Sequence, residues 1–548
     1  MAEIPAKESL TIEFKSDRKT ISDNVIVEEV VSLANTDGGS LYIGVEDDGE
    51  VTGAQPQHRN PVQIMALVAN KTVPSVSTRV RIIDADLPVL CIEVPRSQSV
   101  TATASGKILR RRLKANGEPE SIPMYPYEIT TRLSDLGKLD FSAQPVLDSS
   151  KEDFSALELD RLRGIIESYA GGEKNLLELS DDELMKALRL TTSVGEDEVP
   201  TLTGILLIGK KESISQLVPT ADAVFQVMQG TDVKVNTEYR APLLATIEAI
   251  NKAIEPWNPI TEIALGLFND PVPAFDRRAI REALVNAFGH RDYSVLGRVR
   301  VLIDDAGLTI SNPGGFVEGI SIENLLTADP HGRNPCLMDA LKRVGLAERT
   351  GRGIDRIFEG SLRYGRPLPD YSDSTSGKVS LFIARGNPDV EFIEMITRES
   401  ERTGSQLSLQ SLLVLDALRR MRRAEYVTLK NALDIQSPRL RQVLENLIEF
   451  GLLEASGAGE RRTYMLSSRV YKMTGKTKGY VRQTDIDKVR YPELIMKLAK
   501  QQGRITTSDV VDLLHLDKER AYYEIKKLIK EGKLKKAQDG PKAFYIPR

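Results

Sequence analysis

The sequence predicts an α+β protein of several domains, and three observations predict it. At 548 residues the chain is long enough for three or four domains, each burying its own core. Near the N-terminus the apolar spacing changes from period two to period 3.6 and back. Near the C-terminus three short helical patterns and a hairpin pattern occur in the same order twice, about 80 residues apart.

The first segment sets Leu10, Ile12 and Phe14 in alternation with Thr11, Glu13 and Lys15, the signature of a half-buried strand. Thr20–Asp23 opens a helix, capped by Ser22 or Asp23, with Ile26, Val30 and Ala34 on its apolar stripe. Asp37-Gly38-Gly39 breaks it, and Leu41, Ile43 and Val45 alternate in a second strand that ends at Asp48-Gly49. A β–α–β layout carries Glu8, Glu13 and Asp47 toward neighbouring strand ends. Clustered carboxylates call for a positive partner: Mg²⁺, Mn²⁺ or Lys15. Glu8 has the parity of the apolar face, so it joins Glu13 only where the chain bends before Leu10.

From Glu8 to Ile129, with the Asn35–Gly39 turn, Ile43-Gly44-Val45 and the Arg110-Arg111-Arg112 run, the pattern resembles the Schlafen AlbA_2 domain, a nucleic-acid-associated module. The resemblance implies one of two uses. In the catalytic use, Glu8, Glu13 and Asp47 hold Mg²⁺ or Mn²⁺ and Lys15 meets the scissile phosphate. In the passive use, Arg110, Arg111, Arg112 and Lys114 grip a nucleic-acid backbone.

Hydrophobic residues make up 41% and charged residues 28%, an ordinary globular balance. No apolar run approaches membrane-spanning length, and Met1–Lys7 is no signal peptide, so no membrane partner is expected. Cys91 and Cys336 are isolated and the four histidines scattered, which excludes a disulfide framework or zinc cluster and makes a reducing cytoplasm the expected home. The net charge of −4 hides an asymmetry. Ser411–Arg548 holds 29 Lys and Arg against 17 Asp and Glu, whereas the preceding residues hold 45 against 61. A basic end on an acidic body points to nucleic acid at that end.

Linker-like composition lies at Asp140–Asp153 and at Thr397–Ser408. Between them, Asp153–Ala170 and Ser180–Leu188 read as amphipathic helices, and Thr201–Lys210 and Ala221–Gln229 as buried strands. A further helix places Ile280, Leu284, Ala287 and Phe288 on one stripe and Glu282, Asn286 and His290 on another, one turn apart. A carboxylate one turn before an amide suits phosphate chemistry, the amide oxygen ligating Mg²⁺ and the carboxylate polarising water. Asn312-Pro-Gly-Gly315, Gly332-Arg333-Asn334-Pro335 and Thr350-Gly351-Arg352-Gly353-Ile354 follow. The last opens a helix whose N–H groups suit an anion.

From Pro200 to Arg385 this set resembles the GHKL-type ATP-binding domain, and more closely its RecG-C-terminal-like branch, through His290-Arg291-Asp292-Tyr293. The resemblance implies ATP with Mg²⁺, Glu282 as general base and Asn286 as metal ligand. His290, Arg291, Asp292, Asn312, Gly314, Gly315, Arg333, Asn334, Thr350, Gly351, Arg352 and Gly353 would surround the nucleotide. Asn312 stands where the wider superfamily has an Asp on the adenine amino group.

Ser411–Met421, Val427–Leu433 and Pro438–Phe450, followed by a hairpin around Ser456–Glu460, have the winged-helix order. It recurs at Pro492–Gln501, Thr507–Leu514, Lys518–Glu531, Lys533–Lys536 and Ala543–Ile546. The third helices would show Arg439 and Arg441, then Lys518, Arg520, Tyr523 and Lys527, to base edges or phosphates. Arg461, Arg462, Lys535 and Lys536 sit on the wings.

The expected layout is an AlbA_2-like module at 1–139, a GHKL-like α/β sandwich at 150–396 and winged helices at 405–472 and 485–548. The leading expectation is an ATP-responsive DNA-binding transcriptional regulator, cytoplasmic and homo-oligomeric. A metal-dependent Schlafen-type RNA or tRNA endonuclease gated by ATP, in phage defence, stays open as the alternative, as does an ATP-dependent oligomer assembled through the winged helices.

Overall fold

The computed structural model describes residues 4–84, 86–265, 268–329, 331–348, 351–433, 435–457, 459–467, 470, 491–514, 518–539 and 542–547. The N-terminal β–α–β unit is present. Ile12–Lys15 pairs parallel with Gly39–Ile43, and the helix Asp23–Ala34 makes the crossover. Pro88–Val94 and Arg79–Asp84 complete a four-stranded sheet with antiparallel pairings. Gly39 (φ 140°) is required by close approach, because a Cβ there would run into the Thr11 backbone across the parallel pair. Asn35 ties the same turn down: its amide donates to Thr101 O (2.7 Å) and Leu109 O (2.9 Å) and accepts from Thr101 N (2.8 Å).

Two expectations about this unit change. The strand begins at Ile12 rather than Leu10, after a tight turn bridging Ser9 and Ile12. That turn is the bend that allows Glu8 to approach Glu13. Leu41–Val45 does not alternate but is buried throughout, because Gly39–Ile43 is central in its sheet. A separate hairpin, Leu109–Leu113 with Pro119–Pro123, leads into the helix Pro126–Asp135.

The middle of the chain is built on a five-stranded sheet in the order Asp232–Tyr239, Asp222–Gln229, Arg298–Ile303, Gly307–Pro313 and Lys378–Ala384. Only the Asp222–Gln229 and Arg298–Ile303 pair is parallel. The helices Ala156–Ser168 and Asp181–Ala187 form as expected, the second with a capping box between Ser180 and Glu183. Leu202–Ile208 is a helix, not a strand. Thr201 caps it, its hydroxyl accepting from Gly204 N, and every residue of the helix is buried. An apolar run covered on all sides carries no periodicity, so spacing alone cannot tell the two states apart. The linker expected at Thr397–Ser408 is also partly helical, because Val390–Thr403 runs to the left-handed Gly404.

Beyond it, Leu409–Met421, Tyr426–Ala432 and Ser437–Glu449 precede the strands Leu453–Ser456 and Thr463–Leu466, with Arg423–Glu425 as a third strand. Tyr491–Gln502, Thr507–Leu514 and Lys518–Lys530 precede the hairpin of Leu534–Asp539 with Lys542–Pro547. The expected order of elements is therefore found in both C-terminal segments.

Candidate functional site

The helix Arg277–Gly289 starts at Asp276, whose carboxylate accepts from Arg278 N and Ala279 N. Its buried stripe of Ile280, Leu284, Ala287 and Phe288 turns Glu282, Asn286 and His290 toward a cleft of about 660 Å³, a size suited to a small-molecule ligand. The helix Gly353–Leu362 lies alongside. A Cβ added at Gly353 would come within 3.1 Å of Glu282 Oε2 and 3.8 Å of Asn286 Nδ2, so the start of this second helix stands against both side chains. Asn312, Gly315 and Gly351 also line the cleft.

Glu282 is 1% exposed, with Arg356 Nη1 at 3.3 Å from Oε1. Burial pushes its carboxyl up, and Arg281 and Arg356 only partly reverse this, which favours a proton acceptor. Asn286 makes no side-chain hydrogen bond to a described residue. The Asn312 amide donates to Pro313 O (3.1 Å), leaving its carbonyl oxygen as the acceptor. Burial, reinforced by the Arg333 and Lys342 charges, lowers His290 to about 4, so its ring is neutral at pH 7.

Five residues expected around a nucleotide support the cleft from behind instead. Arg291 is fully buried, donates to Thr220 O and Gly297 O, and stacks over Tyr293 at 5.4 Å. Asp292 accepts from Ser294 N (2.9 Å) and from the Thr131 hydroxyl (2.9 Å). Arg333 donates to Asp135 (2.8 Å from Nε), Gly315 O and His290 O. Gly314 packs on Arg333, and Asn334 donates to Gly289 O and Arg291 O. Two motifs read as ligand-binding therefore fasten the Pro126–Asp135 helix to the back of the cleft. Arg352 is the exposed N-cap of the second helix and does not line the cleft, and Thr350 lies outside the described residues. Sequence reasoning missed Arg189, Phe316, Lys342 and Tyr371 in the lining; none sits in a motif that could have marked it.

The N-terminal carboxylates are already occupied. Glu13 is 6% exposed and paired with both Lys15 and Arg111. Lys15 also meets Glu29 at 3.2 Å. Burial would lower the Lys15 ammonium, but Glu29 and Glu13 outweigh it and hold it above its ordinary value. Glu8 accepts from Phe14 N (2.8 Å). Burial raises its carboxyl, Phe14 N–H opposes this, and the charges of Glu13 and Asp47 add to the rise. Glu8 thus lies near enough to feel both Glu13 and Asp47. Among the described residues, however, no group of three His, Cys, Asp or Glu is placed to hold a metal. Lys15, one of the positive partners expected, pairs with Glu13 together with Arg111, so Lys15 is engaged rather than free for a phosphate. Arg111 is buried rather than on a nucleic-acid surface. Arg110 pairs with Glu128, Arg112 with Glu120 (2.7 Å) and Lys114 with Glu118 (3.4 Å).

On the third helices, Arg439, Arg441, Lys518, Arg520 and Lys527 are exposed, and Tyr523 is 67% exposed. Arg441 stacks over Tyr426 at 5.1 Å and meets Glu460 at 3.1 Å. Arg461, Lys535 and Lys536 are exposed on the hairpins, whereas Arg462 is held by Glu445.

Residues 8–119 match the family model "Schlafen, AlbA_2", residues 297–382 match "Putative ATP-dependent DNA helicase recG C-terminal", and residues 131–223 match a domain of unknown function. No curated protein matches the chain. A solved structure with a similar fold is the DIP2311 protein from Corynebacterium diphtheriae, at 20% identity and a TM-score of 0.51, covering 85% of this chain and 94% of that one. No helix among the described residues is long and apolar enough to cross a membrane. The chain carries a Schlafen AlbA_2 domain followed by a domain of the recG C-terminal ATPase-like type, the architecture of a nucleotide-binding protein of nucleic-acid function.

Proposed function

We propose that the chain is an ATP-responsive DNA-binding transcriptional regulator. The observation that carries this reading is the start of the Gly353–Leu362 helix standing against Glu282 and Asn286 in a cleft of ligand size. The residues fit Mg²⁺-nucleotide. Asn286 has an uncommitted amide oxygen for the metal, Gly351–Gly353 offers backbone N–H groups to phosphate, and the Asn312 carbonyl oxygen can accept from an amino group on the base. Bound Mg²⁺ supplies charge neutralisation at the phosphates. Glu282, raised by burial, is the group positioned to take a proton from water.

The two C-terminal helix–hairpin segments are read as winged helices that contact DNA. Their support is the excess of 29 cationic over 17 acidic residues in Ser411–Arg548 and the exposed cations of both third helices. Nucleotide binding would alter the relative placement of the cleft and these modules and so change DNA affinity. Titration calorimetry of the full chain with ATP and Mg²⁺ tests the nucleotide part. The wild type should bind and Asn286→Ala should lose binding while remaining folded; equal affinity in the two proteins would refute the assignment.

A further inference from the structure

The lining of the cleft has an uneven charge pattern. Among the described residues that line it, five are carboxylates (Glu282, Asp329, Asp339, Glu348 and Asp355), and only Arg189 and Lys342 carry a permanent positive charge. Neither cation pairs with a described residue, since no ion pair or side-chain hydrogen bond holds either one. Arg356, just outside the lining, pairs with Glu282 and Glu348, so a polyanion here meets the other three carboxylates and depends on the cations of the lining, because an anion leaving water needs an opposite charge to offset its desolvation. The two cations come from different parts of the chain. Lys342 lies on Pro335–Arg343, which is fixed to the end of the Arg277–Gly289 helix by Asn334 donating to Gly289 O (3.0 Å) and by Met338 against Gly289. That wall is about one helical turn beyond Asn286. Arg189 comes from the 131–223 segment, outside the matched ATPase-like residues.

Local structure gives an independent reason to single out Arg189. It follows the helix Asp181–Ala187 and its C-cap Leu188. Arg189 N donates to Lys186 O (3.0 Å) and Leu190 N to Met185 O (2.8 Å), the two bonds of a Schellman motif. Arg189 fills the left-handed position of that motif at φ 55°, where glycine is the residue without steric penalty. Its carbonyl is held from two sides, by the Thr201 hydroxyl (2.8 Å) and the Cys336 thiol (3.8 Å). The backbone root of the side chain is therefore fixed, while the side chain itself is exposed in the cleft. Helix termination alone would be better served by glycine, so the arginine has to be explained by its guanidinium.

We propose that Arg189, supplied by the 131–223 segment, binds the terminal phosphate of a nucleoside triphosphate together with Lys342 and makes the cleft prefer triphosphate to diphosphate. A guanidinium meets phosphate oxygens through two parallel donors, which suits it to a terminal group. The inference rests on the nucleotide reading and deepens it. It also gives the 131–223 segment a part in the site, so this segment would sense which nucleotide is bound.

The test is calorimetry of ATP and ADP, each with Mg²⁺, on the full-length wild type, Arg189→Gly and Arg189→Lys, with a melting curve for each. Glycine fits the left-handed turn, so Arg189→Gly should melt no lower than the wild type. Its ATP affinity should fall about ten- to a hundredfold and its ADP affinity by less than about threefold, as expected for loss of a charged hydrogen-bond donor to the terminal group. Arg189→Lys should retain part of the preference. An unchanged ATP-to-ADP ratio in Arg189→Gly, or equal losses for both with a lower melting temperature, would overturn the proposal. Failure of the wild type to bind either nucleotide would instead overturn the nucleotide reading beneath it.

Discussion

Replacing Arg333 separates a supporting residue from a ligand-binding one. Its guanidinium is 2% exposed, with Asp135 on one side and the carbonyls of Gly315 and His290 on the other. Arg333→Met keeps the aliphatic stem and removes every donor. Asp135 would be left without its cation in a site where burial already pushes its carboxyl up. Removing one partner of a buried pair costs about 3–5 kcal/mol. The Asp135 side chain is 18% exposed, which places the expectation near about 3 kcal/mol. The chain has one tryptophan, Trp257, packed against the core of the middle region, so its fluorescence in urea follows the unfolding of that region specifically. Asp135→Asn should be destabilising by a similar route, and the double variant should lose less than the sum, because the two changes remove the same interaction. A variant with unchanged stability but lost ATP affinity would refute this placement of Arg333 and return it to the ligand.

The acid response of His290 has a definite sign. Its folded value of about 4 lies below the ordinary 6.5, so the unfolded chain binds the extra proton. Stability is fully present above pH 6.5 and is lost as pH falls toward 4. Between pH 7 and pH 5 the loss from this group is about 2 kcal/mol, and His290→Gln should remove that part of the Trp257 unfolding shift. At the C-terminal end, truncation after Gly404 should abolish most duplex affinity, and the full chain should show a log–log salt slope near about −5 for some six phosphate contacts. Arg441→Ala and Lys527→Ala should each weaken binding, measured by fluorescence anisotropy. Full affinity in the truncated chain would show these segments to be protein-binding modules.

The sequence made the framework legible where the local signals agree. The Ile280–Leu284–Phe288 stripe and the polar face of Glu282, Asn286 and His290 specify one helix and one orientation, and the structure has both. The C-terminal segments were equally readable, because short amphipathic helices with turn residues between them leave few alternatives. Leu202–Ile208 was not readable: burial on every side erased the periodicity that separates helix from strand. The motifs failed in a different way. Gly332–Pro335 and His290–Tyr293 both lie at the cleft, but they do not distinguish Asn286, which faces it, from Arg333 and Arg291, which hold its back wall. Arg111 was misread because a basic run on a strand alternates faces, and its central member points inward to Glu13. Arg189 carried no signal at all, since only the tertiary fold brings the 131–223 segment to the cleft.

The central claim is that nucleotide in the cleft controls DNA binding, and the most direct measurement is duplex affinity of the full chain with and without saturating ATP and Mg²⁺ at fixed salt. The account predicts a shift of about five- to a hundred-and-fifty-fold that disappears in Asn286→Ala, as for two coupled sites. The same dissociation constant in both conditions, for a wild type shown to bind ATP, would contradict it.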